Sequence, residues 1–171
     1  MKKAALILTL IFLLGATLSA QEQKPTIAVS PFNNITGNKS LDYVAFQISE
    51  YLTTAYGAFQ DITLVERSNL VAILKEQQLQ LSGITESDKA VRIGEILNAQ
   101  YMVLGSYSAQ NETLRVSARV THVENGEVIT AKAVQGDKEN IFPLLKNLFY
   151  QLVGGMKASG TDDFTDWQIT V

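Results

Sequence analysis

The residues best placed to do chemistry are Glu66 and Arg67, opposite charges that follow the apolar run Ile62-Thr63-Leu64-Val65. Charges set where a buried strand hands over to a helix lie at the carboxyl end of parallel strands, where α/β sheets place their sites. The plainer reading is a local salt bridge with helix capping. The single histidine, His122, sits inside a β-type run and reads as a sheet-face histidine holding a hydrogen bond rather than as a lone base. With no cysteine and no second histidine, serine–histidine–aspartate triads and thiolate or histidine metal sites have few of their parts. Asp162-Asp163 reads as solvated tail, and Glu86 with Asp88 as helix capping. The loop Ile35-Thr36-Gly37-Asn38-Lys39-Ser40 stands between a strand and a helix, where a phosphate loop would stand, but it offers one glycine where the Walker pattern needs two. No catalytic residue, cofactor site or metal site is expected.

The elements that position these residues follow from periodicity. Thr26 to Phe32 (TIAVSPF) reads as a buried strand halted at Pro31, and Asn33 to Ser40 as a turn-rich loop. Leu41, Val44, Ala45, Ile48, Leu52, Ala55, Tyr56 and Phe59 recur at three-and-four spacing, the stripe of a long helix that Ser40 or Asp42 can cap. Ile62 to Glu66 is a second strand, and a strand–helix–strand unit with tight links makes the two strands parallel. Ser68 opens a second helix carrying Leu70, Val71, Ile73, Leu74 and Leu79. Thr85-Glu86-Ser87-Asp88 resembles a capping box for a third, with Ala90, Val91, Ile93, Ile96 and Leu97.

The period then changes to two. Tyr101 to Ser108, Thr113 to Val123 and Glu127 to Val134 are β-type runs, with Leu114, Val116, Ala118 and Val120 alternating against Arg115, Ser117, Arg119 and Thr121. Asn125-Gly126 is a two-residue hairpin signal. Ile141, Leu144, Leu145, Leu148, Leu152, Val153 and Met156 form a closing helix with Pro143 in its first turn, and Gly154-Gly155 and Gly160 loosen its end. Tyr101, Tyr107, Phe142, Phe149 and Tyr150 are core candidates. The order β-α-β-α-α-β-β-β-α predicts an α/β fold, with a single mixed five-stranded sheet flanked by helices.

Charge and the first residues bound the rest. Met1-Lys2-Lys3, the apolar run Ala4 to Leu14 and the small residues Gly15 to Ala20 make a three-part secretion signal, expected to be cut after Ala20. Residues 1–20 are thus the signal peptide, 21–160 the α/β domain and 161–171 an acidic tail carrying Phe164 and Trp167. Without Lys2 and Lys3 the 14 basic residues fall to 12 against 17 acidic, a net charge near −5 that disfavours nucleic acid as a partner. A lipid anchor would need a cysteine after the cleavage site, so none is expected. The location expected is periplasmic, with possible association at the outer membrane.

Val65-Glu66-Arg67-Ser68-Asn69-Leu70 through Ile73-Leu74-Lys75-Glu76-Gln77-Gln78-Leu79-Gln80, followed by Ser82-Gly83, resembles the CsgG/HfaB family of curli-production and holdfast-anchoring proteins. It is similar to that family's V-E-R strand end, its helix L-x-x-I/L-L-x-E-Q-x-L-Q and its S-G. Ala99-Gln100-Tyr101-Met102-Val103-Leu104-Gly105-Ser106 resembles the family's A-D-x-x-L/V-x-G-S segment, with Gln100 where an acidic residue is usual. Val120 to Val128 is similar to its R-L/V-V-D/N-x-x-T-G-E/K-I/V turn, with Asn125 in place of the threonine. The resemblance spans Thr26 to Leu152. It implies a periplasmic domain like the TolB amino-terminal region, acting without catalysis through protein partners in the periplasm or at the outer membrane, or through self-association. Glu66, Arg67, Leu70, Leu74, Glu76, Gln77, Gly105 and Ser106 are then the motif and interface candidates.

Pore-forming members of that family carry membrane hairpins in the links near Ser108 to Leu114 and Gln135 to Ile141, each strand needing about 9–11 residues. Here both links are only a few residues long. The reading is therefore an accessory component for assembly or secretion of surface structures. An outer-membrane secretion-channel subunit, or a periplasmic regulator of cell-wall synthesis on the same fold, are the alternatives.

Overall fold

The computed structural model describes residues 24–66, 70, 72–73, 86–160 and 164. Thr26–Val29 (β1) is buried on both faces, Ile27 and Val29 entering one core and Ala28 another, as a central parallel strand requires. After it come the short β2 (Asn33–Asn34), a 3-10 turn over Lys39–Leu41, the helix α1 (Asp42–Gly57) and the two-residue β3 (Thr63–Leu64). The second helix falls largely outside the described residues; Leu70, Ala72 and Ile73 are helical. Next stand α2 (Glu86–Ile96), three ten-residue strands β4 (Tyr101–Gln110), β5 (Thr113–His122) and β6 (Val128–Asp137), and α3 (Ile141–Ala158).

The sheet order is β3-β1-β4-β5-β6. β1 lies parallel to both β3 and β4, as crossover helices dictate, whereas β4, β5 and β6 form an antiparallel meander. The five expected strands are thus joined in one mixed sheet, and a sixth is added. Asn33 and Asn34, read as turn residues, pair with Ser106 and Tyr107 of β4 because β4 runs on past the end of β1 and offers free backbone groups there.

Three local readings change. The loop before α1 is capped by Asn38, whose side chain accepts from Ser40 N at 3.0 Å, while α1 itself begins without a side-chain cap. The tight two-residue turn is Asn111-Glu112, with Asn111 left-handed at φ 54°. Asn125-Gly126 belongs instead to a five-residue turn in which His122 N donates to Glu127 O and Gly126 N to His122 O. Gly154-Gly155 does not loosen α3, which runs through to Ala158. Gly155 is a site of close approach, since a Cβ there would lie 2.8 Å from Thr130 Cβ on the sheet below.

Among the described residues the two faces of the sheet are covered unequally. On one side α1 (Val44, Ile48, Leu52, Tyr56) and α3 (Leu145, Leu148, Leu152, Met156) bury the main core against Ile27, Tyr101, Val103, Tyr107, Val116 and Val120. Phe164 joins this core, its ring 4.7 Å from that of Tyr101, so the segment read as tail contributes a buried side chain. On the other side a smaller cluster of Ala28, Leu70, Ile93, Ala99, Met102 and Val123 sits under α2. It reaches β1, the first residues of β4 and Val123 just past β5. Beyond it Arg115, Ala131, Ala133 and Gln135 are exposed.

Candidate functional site

The sequence-predicted motif residues separate into a packing set and a surface set. Glu66 lies just past β3 at the carboxyl end of the parallel strands and is exposed; its carbonyl accepts from Leu70 N at 3.2 Å. Leu70 is buried, in the small cluster with Ala28 and Met102, so it anchors the strand–helix junction to the sheet. Arg67, Leu74, Glu76 and Gln77 lie outside the described residues.

Gly105 and Ser106 are neighbours in sequence but point to opposite faces, as alternation in a strand requires. Gly105 faces the main core, where a Cβ would lie 2.7 Å from Phe32 Cδ1 and overlap both Phe32 Cε1 and the Ser117 carbonyl. The glycine therefore makes room for an aromatic ring. Ser106 faces the other way, half-buried, paired with Asn33 on one side and Ser117 on the other.

Two surfaces could receive a partner. The first is the open sheet face around Ser106. Leu104, Ser106 and Ser108 of β4, Arg115, Ser117 and Arg119 of β5, and Ala131, Ala133 and Gln135 of β6 lie on it. The alternation of Arg115, Ser117 and Arg119 in the sequence placed these side chains together on one face; among the described residues, Arg115, Ala131, Ala133 and Gln135 on it are exposed and Ser117 and Arg119 half-buried.

The second surface is on the helices. Phe142 and Tyr150, expected in the core, are 60% and 36% exposed. They stand with Lys146 on one stripe of α3, offset from the buried stripe Ile141, Leu145, Leu148 and Leu152. The Lys146 ammonium lies 5.8 Å from the centre of the Tyr150 ring, a cation–π contact. Tyr51 of α1 meets Phe142 at 6.4 Å, and partial burial together with nearby Tyr150 raises its phenol pKa. Tyr43 and Phe46 extend the exposed aromatics along α1. The four-residue spacing of Phe142, Lys146 and Tyr150 was the available signal, since it falls off the apolar stripe.

The remaining candidates are structural. His122 Nδ1 lies 3.2 Å from Asn125 Oδ1 and its ring packs edge-on against Tyr101 at 5.1 Å, the sheet-face role expected. Tyr107 donates to Leu41 O at 2.8 Å, and burial raises its pKa. Among the described residues no group of three or more histidines, aspartates and glutamates is arranged to hold a metal ion, and no helix is long and apolar enough to cross a membrane.

A family model described as the curli production assembly/transport component CsgG matches residues 12–115, ending at the start of β5. No curated protein matches the sequence. Among solved structures, the LpoB C-terminal domain from Salmonella enterica superposes with a TM-score of 0.53 at 24% identity, over 75% of this chain and 92% of that one. The LpoB C-terminal domain from Escherichia coli gives 0.50 at 20% identity, over 74% and 93%. TolB from Acinetobacter baumannii gives 0.53 at 13% identity, over 80% of this chain and 29% of that chain. At these identities the structural likeness speaks for the fold alone.

Proposed function

The chain belongs to the CsgG family, and from that premise we propose that it is a non-enzymatic, exported component of the bacterial cell envelope that assists assembly or secretion of surface structures through protein–protein contacts. The observation that carries this reading over a channel subunit is the length of two links. β4 and β5 are joined by Asn111-Glu112 alone, and β6 and α3 by residues 138–140. A bilayer-spanning hairpin needs two strands of about 9–11 residues each. Neither link can supply one, and the meander strands are already committed to covering α1 and α3.

The periplasm is the proposed location, with the signal removed near Ala20. Curli-type structures are the proposed setting. The test is co-purification from periplasmic extract with the tagged chain, read by mass spectrometry, beside fractionation of the envelope. Recovery of a soluble chain with components of a surface-structure secretion system supports the reading. Recovery with cell-wall synthases assigns the regulator alternative. Discrete conductance steps in planar bilayers assign the channel and overturn the proposal.

A further inference from the structure

We propose that the outer edge of β6 is a docking strand for an extended, acidic segment of a partner protein, held by backbone pairing to β6 and by Arg115 and Arg119. The inference rests on the protein-contact reading above and names the surface and the chemistry of the partner.

β6 ends the sheet, and no strand pairs with its far side among the described residues. The direction of its backbone groups follows from one bond. Lys138 N donates to Glu112 O at 2.9 Å, which makes these two an inward-facing pair. Antiparallel pairs alternate, so Gly136, Val134 and Lys132 also turn their N–H and C=O toward β5. Gln135, Ala133 and Ala131 then direct theirs outward, into the open edge. Edge strands of this length are commonly blunted by proline or by charges on the exposed side. β6 has no proline, and Lys132, on the alternate side, lies over Gly155 of α3. Ala131 and Ala133 leave the open side flat.

The register sets the charge beside that edge. Arg119 pairs with Ala131 and Arg115 with Gln135, so the two arginines flank the small residues on one face, their backbone positions about 13 Å apart along β5. Neither arginine has a hydrogen-bond or ion-pair partner among the described residues. Of the residues of β4, β5 and β6 on this face, the only carboxylate is Asp137, which ends β6 and accepts from Glu139 N. A strand added to β6 would place alternate side chains beside Ala131, Ala133 and Gln135, within reach of both arginines across the alanine methyls. Backbone pairing supplies affinity and alternate side chains supply selectivity. A second copy is the poorer occupant: its sheet brings a second pair of arginines up to the first.

The test uses the chain from Gln21 onward and a fluorescein-labelled peptide of alternating glutamate and valine, with a lysine–valine peptide as counterpart, read by fluorescence anisotropy. The expected result is saturable binding of the glutamate peptide, weakened at least about tenfold by Arg115→Glu with Arg119→Glu. It should be weakened likewise by Ala133→Pro, which removes an outward N–H and no ladder bond. Absence of binding, equal binding of the lysine peptide, or binding unchanged in the folded arginine double variant overturns the proposal. Sedimentation showing a dimer that Ala133→Pro dissociates assigns the edge to a second copy instead, and also overturns it. If Ala133→Pro does not fold, the arginine pair decides. Failure here removes this docking edge and leaves the co-purification test of the envelope role standing.

Discussion

Gly105→Ala isolates one steric relation on which the motif segment depends. The backbone at Gly105 is not left-handed, so the substitution carries no conformational penalty of the kind met at Gly126. Its effect is the volume of one methyl group. That methyl would overlap the rim of the Phe32 ring, which is buried at 3% exposure, and the carbonyl oxygen of Ser117 on the paired strand. The ring can tilt; the carbonyl, held in the β4–β5 ladder, cannot yield without loosening the pairing. Overpacking of this kind costs about 1–3 kcal/mol, and the rigid carbonyl places the expectation in the upper half of that range. In a chain of this size each kcal/mol lowers Tm by about 2–4 °C. Urea unfolding followed by circular dichroism measures it, with Phe32→Ala and the double variant completing a cycle. Phe32→Ala alone costs about 3–5 kcal/mol. The double variant should be more stable than the two single losses added together, because the cavity accepts the methyl. A Gly105→Ala midpoint equal to that of the parent, or strict additivity in the cycle, would refute the close approach of Phe32 to β4.

Gly155→Ala should destabilise by a similar amount, about 1–3 kcal/mol, because its methyl meets Thr130; adding Thr130→Gly should restore part of the loss, and a denaturation series on the three variants checks this. Phe164→Ala removes a fully buried ring packed on Tyr101 and should cost about 3–5 kcal/mol, whereas a melting temperature within error of the parent would detach residue 164 from the core. Burial raises the pKa of Tyr56, whose hydroxyl lies 3.6 Å from Met156 Sδ. The unfolded chain loses its tyrosine proton near pH 10 while the folded chain keeps it, so the stability this linkage contributes is present below about pH 10 and is lost as pH rises beyond it. Tyr56→Phe should flatten that alkaline decline, leaving the share due to Tyr107 and Tyr51; an unchanged slope of urea midpoint against pH would contradict it.

Much of the candidate surface was legible in strand alternation. Arg115, Ser117 and Arg119 had to share a face opposite Leu114, Val116, Ala118 and Val120, since side chains reverse at every residue. The helix stripes of α1 and α3 were legible for the same reason at a period of 3.6, down to Val44, Ile48, Leu52 and Tyr56. Less legible was the outward side of an apolar helix. Phe142 and Tyr150 have core-like side chains, and only their offset from the buried stripe marks them as surface residues.

Sequence by itself determined the element types, the parallel pairing of β1 with β3, the antiparallel meander and the family, because all of these rest on local periodicity, link length and contiguous motifs. Tertiary structure alone decided three things. It added β2, which exists because β4 outruns β1 and leaves backbone groups to be paired. It fixed why Gly105 must be glycine, a matter of where the ring of Phe32, distant in sequence, comes to rest. It also placed β6 at the end of the sheet with its outward N–H and C=O groups unpaired there among the described residues, which no pattern within the strand records, since the edge of a sheet is defined by what does not lie beside it.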